Sequence, residues 1–517
     1  MRILRAPYCE RYMLAHVFSG THKGLTGVLI DVEVDIANRG FPSVNLVGLP
    51  NKSIEEAKDR VRSAIVNTGF EMPDSRLTIN LAPADIPKEG SEFDLPIALG
   101  ILSASGMVDK KALQRSVFVG ELSLEGKLRP ISGVLPLALL AREKKMEYVY
   151  VPFENAAEAA IVPDIKVIPL FTLEDVILHL NGIKIRKPLD HIPLQTIAKE
   201  DLLFDFSMVS GQETAKRALE IAAAGFHNVH LRGVPGAGKT LLSRAFASIL
   251  PPLLQEEMLE VSKIYSIVGQ LHGKGFITHR PFRSPHHTTS RIGLIGGGTH
   301  PVPGEISLAH RGVLFLDEFP EFPRSTIESL RQPIEDGVVT ISRAAGSVTF
   351  PARFILITAS NPCPCGYLGH PTKRCKCSLS HIVRYQKKIS GPILDRIDIH
   401  VDVPPVKHDK LLKHIDASIE SSDTVRKRVI QARERQYERF HSFYMNGEMS
   451  TSDIRSKCVL KQAASNLLKT AVSRLSLSAR SYFKIIKIAQ TIADLGSKDS
   501  IEGPHIAEAL QYRPKEE

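Results

Sequence analysis

Apolar and polar residues alternate over 28–36 (VLIDVEVDI), 77–81 (LTINL) and 148–152 (YVYVP), the period of half-buried strands. Residues 53–70 (SIEEAKDRVRSAIVNTGF) repeat instead at helical spacing and stop at Gly69. The first part of the chain therefore predicts a mixed α+β domain. A polar, Pro-punctuated stretch over 181–201 reads as a linker. After it come three short apolar runs, 228–233 (NVHLRG), 312–318 (GVLFLDE) and 354–361 (FILITASN), which read as buried parallel strands. From about 406 the pattern turns helical, and in 478–495 (SARSYFKIIKIAQTIADL) Phe483, Ile486 and Ile488 can face a core. These shifts of period separate a first part ending near 180, a linker at 181–205, a core at 206–405 and a helical region from 406.

Each apolar run of the core ends in polar chemistry, and open α/β sheets bind ligands at the carboxyl ends of their strands. The first enters GVPGAGKT, where Gly233, Gly238, Lys239 and Thr240 hold the fixed positions of a phosphate loop. Backbone N–H groups from Gly233, Val234, Gly236, Ala237 and Gly238 can curl round a phosphate chain, with Pro235 shaping the turn between them. The helix that follows adds a favourable dipole. Lys239 is expected on the β- and γ-phosphates and Thr240 on Mg²⁺. The other two runs place Asp317 to hold Mg²⁺ through water, Glu318 to polarise the attacking water and Asn361 to sense the γ-phosphate. These positions predict an ATP- and Mg²⁺-dependent site.

Composition narrows the setting. A chain of 517 residues, 43% hydrophobic and 24% charged, is a multidomain globular protein. No apolar run approaches the roughly 20 residues a membrane helix needs, and residues 1–16 lack a signal-peptide core. Six cysteines, four of them within 363–377, make no disulfide framework, so a cytoplasmic setting without membrane partners is expected. Residues 1–200 hold 24 Lys+Arg and 25 Asp+Glu, so the net charge of +10 comes entirely from the rest of the chain.

Part of that excess is concentrated. Between Glu260 and Glu305 there is no acidic residue, while Lys263, Lys274, Arg280, Arg283 and Arg291 occur with five histidines, among them His272, His286, His287 and His300. Such a loop suits a phosphate backbone read without regard to sequence. A hairpin is predicted over 336–350, with Arg343 near its tip as a second DNA contact. The competing expectation is that these loops pack between subunits. Separately, Cys363, Cys365, Cys375 and Cys377 form two C-x-C pairs that can close a tetrahedral zinc site, the alternative being four free thiols.

The ordered motifs GQETAKRALEIAAAG (211–225), GVPGAGKT, IYSIVGQ (264–270), RPFRSPHH (280–287), GEISLAHRGVLFLDEFPEF (304–322), LRQPIEDG (330–337) and NPCPCGY (361–367) resemble the YifB/ComM family of magnesium-chelatase-like AAA+ ATPases. The resemblance runs from about residue 13 to 511, which sets the outer bounds of the first part, 13–180, and of the helical region, 406–511. It implies a multidomain α/β protein with an N-terminal Lon-protease-like domain of the ribosomal S5-like α+β class. An AAA+ P-loop core with a parallel sheet and a C-terminal helical lid would follow. It also implies a ring, a homo-hexamer, with ATP at subunit boundaries. By position Arg396 matches the arginine finger and Arg480 the sensor-2 arginine of the lid. The implied activity is ATP-driven movement on single-stranded or branched DNA, with branch migration in natural transformation. A chelatase-type motor remodelling a protein or metal-insertion partner is the alternative.

Residues 85–102 and 120–140 are similar to the active-site segments of Lon-type Ser–Lys proteases. Aligned on Pro87-Lys88 and on Pro130-Ile131, the nucleophile position falls on Glu92 and the lysine position on Leu135. Neither can do the chemistry. Ser91 lies one residue off, so a non-proteolytic scaffold is expected.

Overall fold

The computed structural model describes residues 14–37, 41–49, 52–88, 90–194, 204–271, 273–298, 301–343, 346–405 and 420–514. Residue 13, part of the linker (195–203), His272, His300 and the start of the helical region (406–419) lie outside the described residues. The chain forms two compact units, one of residues 1–196 with 254–278, the other of 197–253 with 279–517.

The first unit is built on a seven-stranded sheet in the order Ser43–Val47, Arg76–Ala82, Thr26–Ile36, Leu14–Lys23, Ser116–Phe118, Tyr148–Pro152, Lys166–Leu170. Its long hairpin and Arg76–Ala82 pair antiparallel, whereas the last three strands run parallel. Alternation in the sequence becomes alternation in space: Val17, Ile30, Val32, Val34, Ile79 and Leu81 all point inward. The helix Asp94–Ala104 is apolar on every side, and all its residues are buried. Its one charge, Asp94, is met by Arg60 at 2.8 and 2.9 Å and by the Leu122 N–H at 3.2 Å.

Two segments depart from the expected boundaries. Residues 254–278 leave the ATPase sequence and fold with the first unit. Their helix, Gln255–Ile267, carries Leu259, which packs with Phe276 on the cluster containing Val134, Leu135 and Ile161. The buried Glu158 carboxylate fastens this junction, accepting from the Leu135 N–H at 2.9 Å and from the Ser266 hydroxyl. The expected linker is also partly docked. Leu189 N–H donates to Val167 O at 2.8 Å and Ile192 N–H to Ala160 O at 2.9 Å, within the same unit.

The second unit contains a five-stranded parallel sheet ordered Phe282–Arg283, Val313–Leu316, Ile355–Ser360, Val229–Gly233, Ile399–Val403. The C-terminal helices Ser422–Phe440 and Ala479–Leu495 share its core, with Val429, Ile488 and Ile492 in one cluster with Val229 and Ile357. The helical region is thus continuous with the ATPase core rather than a body of its own. A buried polar chain joins them. Asp398 Oδ2 and Thr491 Oγ1 flank the His227 ring at 3.3 and 2.9 Å. Asn446 Nδ2 donates onward to Thr491 Oγ1 at 3.1 Å and to Asp494 Oδ2 at 2.7 Å, and Arg439 Nη1 donates to the same carboxylate at 2.9 Å. Each member has a partner, the condition under which a buried network rigidifies instead of destabilising. Among the described residues no helix is long and apolar enough to cross a membrane.

Candidate functional site

The phosphate loop leaves the carboxyl end of Val229–Gly233 and enters the helix Lys239–Ile249. Gly236 and Gly238 have φ of +78° and +92°, a region that costs an L side chain energy, and a Cβ on either would meet nothing within 4 Å. The open side of the loop is therefore free for a phosphate chain. Gly233 is needed for a different reason. A Cβ there would lie 2.3 Å from Val403 O on the neighbouring strand.

Lys239 Nζ donates to Gly233 O at 2.6 Å, Val234 O at 3.1 Å and Asn361 Oδ1 at 3.1 Å. Burial pushes its pKa down, opposed by the Asp317 and Glu318 charges. Thr240 Oγ1 donates to Asp317 Oδ2 at 2.7 Å, so the two groups expected around Mg²⁺ adjoin. Glu318 has φ +49° and donates its N–H to Asp317 Oδ1 at 2.9 Å. Its carboxylate meets His287 Nδ1 at 3.3 Å. His287 comes from the basic insertion, and sequence reading assigned it no place beside Glu318. The residues present fit a nucleoside triphosphate with Mg²⁺. Lys239 and the loop would hold phosphates, Asp317 and Thr240 the metal, and the metal would offset charge on the β- and γ-oxygens.

Arg396 and Arg480 lie elsewhere. Ile399–Val403 runs parallel to Val229–Gly233, pairing Val229 with Ile399 and Gly233 with Val403. The phosphate loop is thus at the carboxyl rim and Arg396, three residues before Ile399, at the amino rim; the strand between the rims spans roughly 13 Å at about 3.3 Å per residue. Arg396 Nη2 lies 2.6 Å and Arg480 Nη2 2.7 Å from the same atom, Glu335 Oε1. Glu335 ends one residue short of the helix Arg331–Asp336 terminus, which leads directly into the hairpin Val338–Arg343/Gly346–Pro351. Glu335 lies within the LRQPIEDG motif, to which the sequence attached no role. Its carboxyl is held below the usual range by the two guanidinium groups, which outweigh the effect of burial.

The basic insertion is divided between the two units. Lys274 is exposed but belongs to the first unit. Arg283 is not a free cation: it forks onto Glu305 at 2.6 and 2.7 Å. Arg280 donates to Pro251 O, Pro252 O and Arg311 O at 2.6, 3.3 and 2.7 Å. Both act as structural ties because the carbonyls and the carboxylate around them need donors. Arg343 is exposed at the hairpin tip, and its Nη2 lies 3.5 Å from where a Gly297 Cβ would stand. That point is also 3.5 Å from Ile292, so the tip adjoins the short helix Arg291–Ile295, where Arg291 and Ile292 are exposed.

The four cysteines converge. Cys363 Sγ is 3.4 Å from Cys365 and 3.7 Å from Cys375, and Cys365 is 3.6 Å from Cys375. With Cys377 all four sulfurs lie within 4.8 Å of one another, and none is disulfide-bonded. N–H groups of Tyr367 and Lys376 donate to Cys365 and lower its thiol pKa to about 6.

In the Lon-like region Glu92 accepts from Thr21 Oγ1 at 3.1 Å, and Leu135 is fully buried. Ser91 donates to the Glu121 carboxylate, and the buried Lys88 ammonium to Pro83 O. No lysine is bonded to Ser91 among the described residues. Active-serine probes should therefore leave the protein unlabelled, with no ATP-stimulated digestion of unfolded protein. Labelling that disappears in Ser91→Ala would contradict this.

Comparison with known proteins divides the chain into three matched stretches. The family described as magnesium chelatase, subunit ChlI, matches residues 205–411, its subunit ChlI of Mg-chelatase counterpart residues 32–155, and the ChlI C-terminal family residues 419–513. The chain is 44% identical over 508 residues to competence protein ComM of Haemophilus influenzae, covering 97% of each. It is 42% identical over 501 residues to the protein YifB of Salmonella typhimurium, again covering 97% of each. The N-terminal part is similar to Lon protease 2 of Bacillus subtilis, 29% identical over 185 residues and 32% of each chain. With near full-length identity to both relatives, a Lon-like first unit and a parallel P-loop sheet carrying a helical region, the chain belongs to the YifB/ComM family of magnesium-chelatase-like AAA+ ATPases.

Proposed function

We propose that this protein is a cytoplasmic, ring-forming ATPase, a homo-hexamer that moves single-stranded or branched DNA and drives branch migration. The observation that carries the reading is the separation of the hydrolytic parts. Lys239, Thr240, Asp317, Glu318 and Asn361 gather at one rim of the sheet, while Arg396 and Arg480 meet at Glu335 beyond the other. One subunit supplies the water-activating carboxylate, and the arginines serve ATP held by a neighbour. The relative in Haemophilus influenzae is named for competence, which favours DNA uptake and recombination as the setting. ATP and Mg²⁺ are its cofactors, and we assign a zinc ion to the four-cysteine cluster.

DNA contact is best supported at the exposed Arg343 and Arg291, since the hairpin tip adjoins the short helix that begins with Arg291 and the exposed Ile292. Binding through such cations releases counterions, so affinity should fall steeply with salt and vary little with sequence. The test is the ATPase rate without DNA and with single-stranded, duplex and forked DNA. Stimulation is expected, and the Arg291→Glu/Arg343→Glu variant should lose it while keeping basal hydrolysis. Arg283→Glu is the wrong probe, since it would place two carboxylates together at Glu305. DNA affinity unchanged in a folded, ring-forming double variant would favour the chelatase-type reading, in which the motor remodels a protein partner.

A further inference from the structure

Resting on the zinc assignment above, we infer that the four-cysteine centre positions the nucleotide sensor, locking Asn361 onto Lys239 and its own loop against the phosphate loop. The sulfur geometry suits the metal. Four Zn–S bonds of about 2.3 Å in a tetrahedron require sulfurs about 3.8 Å apart. The observed separations of 3.4, 3.6 and 3.7 Å are close to that, and much longer than a covalent S–S bond. Four thiolates brought this close repel one another unless a cation sits among them.

The connection to the sensor is short and stiff. Asn361 is followed by Pro362, Cys363, Pro364 and Cys365, so two prolines with fixed φ separate the γ-phosphate sensor from the first two sulfurs. Cys363 is fully buried. One residue past Cys365, Gly366 turns back with φ +81°, its N–H donating to Cys363 O at 2.9 Å. A Cβ on Gly366 would lie 2.5 Å from Pro235 Cγ in the phosphate loop and 3.9 Å from Asn361 Cγ. The loop that carries the sulfurs therefore abuts both the phosphate loop and the sensor side chain. The Asn361 backbone also hydrogen-bonds Tyr385. Without the metal the second pair, Cys375 and Cys377, has no covalent tie to the first.

A sensor displaced by an ångström acts on the chemical step more than on binding, because the phosphate loop and Lys239 still hold the nucleotide. The experiment measures zinc content, ATP affinity and kcat for the full chain. It compares the protein as prepared, chelated, chelated then resupplied with Zn²⁺, and as the Cys375→Ser/Cys377→Ser variant, which spares the buried Cys363. About one zinc per chain is expected as prepared. Metal loss should lower kcat by about 10²-fold, the cost of an ångström-scale misplacement, with ATP affinity near its original value. Zn²⁺ should restore kcat, and amide exchange should rise in 361–377 alone. Iron or no metal in protein prepared without chelator would overturn the zinc assignment. Zinc lost with kcat unchanged would overturn the positioning role and leave the motor reading intact. If the double variant does not fold, the chelation and resupply series decides. A protein that holds zinc and never hydrolyses ATP would instead count against the proposed function.

Discussion

Glu318→Gln is expected to bind ATP as the wild type does and to hydrolyse it slower by about 10²–10⁴-fold, the usual contribution of a positioned general base. The loss falls on the chemical step because the groups that would hold phosphates and Mg²⁺ are elsewhere: Lys239 on the loop carbonyls, Thr240 against Asp317. The amide is isosteric and still able to accept from His287, which lies 3.3 Å from the native carboxylate, so the local packing survives. The measurement pairs nucleotide titration with single-turnover phosphate release. Hydrolysis within tenfold of wild type would remove Glu318 from the chemistry. His287→Ala offers a companion reading, since it frees the carboxylate without changing it.

Arg396→Ala should cost a comparable or larger factor, about 10³–10⁵ for an arginine finger, again with ATP binding retained. Because Arg396 lies at the amino rim of the sheet, its defect should be complemented between subunits. In rings mixed with Lys239→Ala, some boundaries join an intact phosphate loop to an intact finger, and those boundaries should turn over. The side chain is mostly buried, 14% exposed, and bonded to Glu335, so its loss also disturbs that carboxylate. Arg396→Lys separates the two effects. It keeps the charge beside Glu335 but lacks the planar fork, and its hydrolysis should remain low. Absence of rescue in rings shown to be mixed would sink the assignment.

The parts of the site that depend on local backbone geometry were legible in the sequence. Glycines at 236 and 238 announce positive φ, and a carboxylate pair ending an apolar run announces a strand tip at a sheet's rim. The cysteine spacing likewise foretold convergence, because so short a loop leaves the sulfurs few places to go. What the residues concealed was partnership across distance. Arg283 looked available because its stretch lacks acids, yet Glu305, the first acid after it, is its mate. Glu335 sits in an unremarkable helix, and only the fold brings Arg396 and Arg480 to one of its oxygens. The packing of 255–267 was hidden for a related reason. A helical pattern at 255–267 says that an apolar face will be buried but not against which partner, and it is buried in the Lon-like unit.

That misplaced helix bears on how the gene can be cut. The two units are joined by three passages of the chain, at 196/197, 253/254 and 278/279. A truncation that discards the N-terminal 204 residues would not release a clean ATPase. It would leave Leu259 and Phe276 without the apolar cluster they cover, and would strip the Glu158 acceptor from Ser266. The remnant would expose a sticky helix in the middle of its motor sequence and aggregate. Separating the halves takes an internal excision of 254–278 as well, bridged by a short polar loop. For the same reason the Lon-like unit cannot be removed by a single N-terminal deletion.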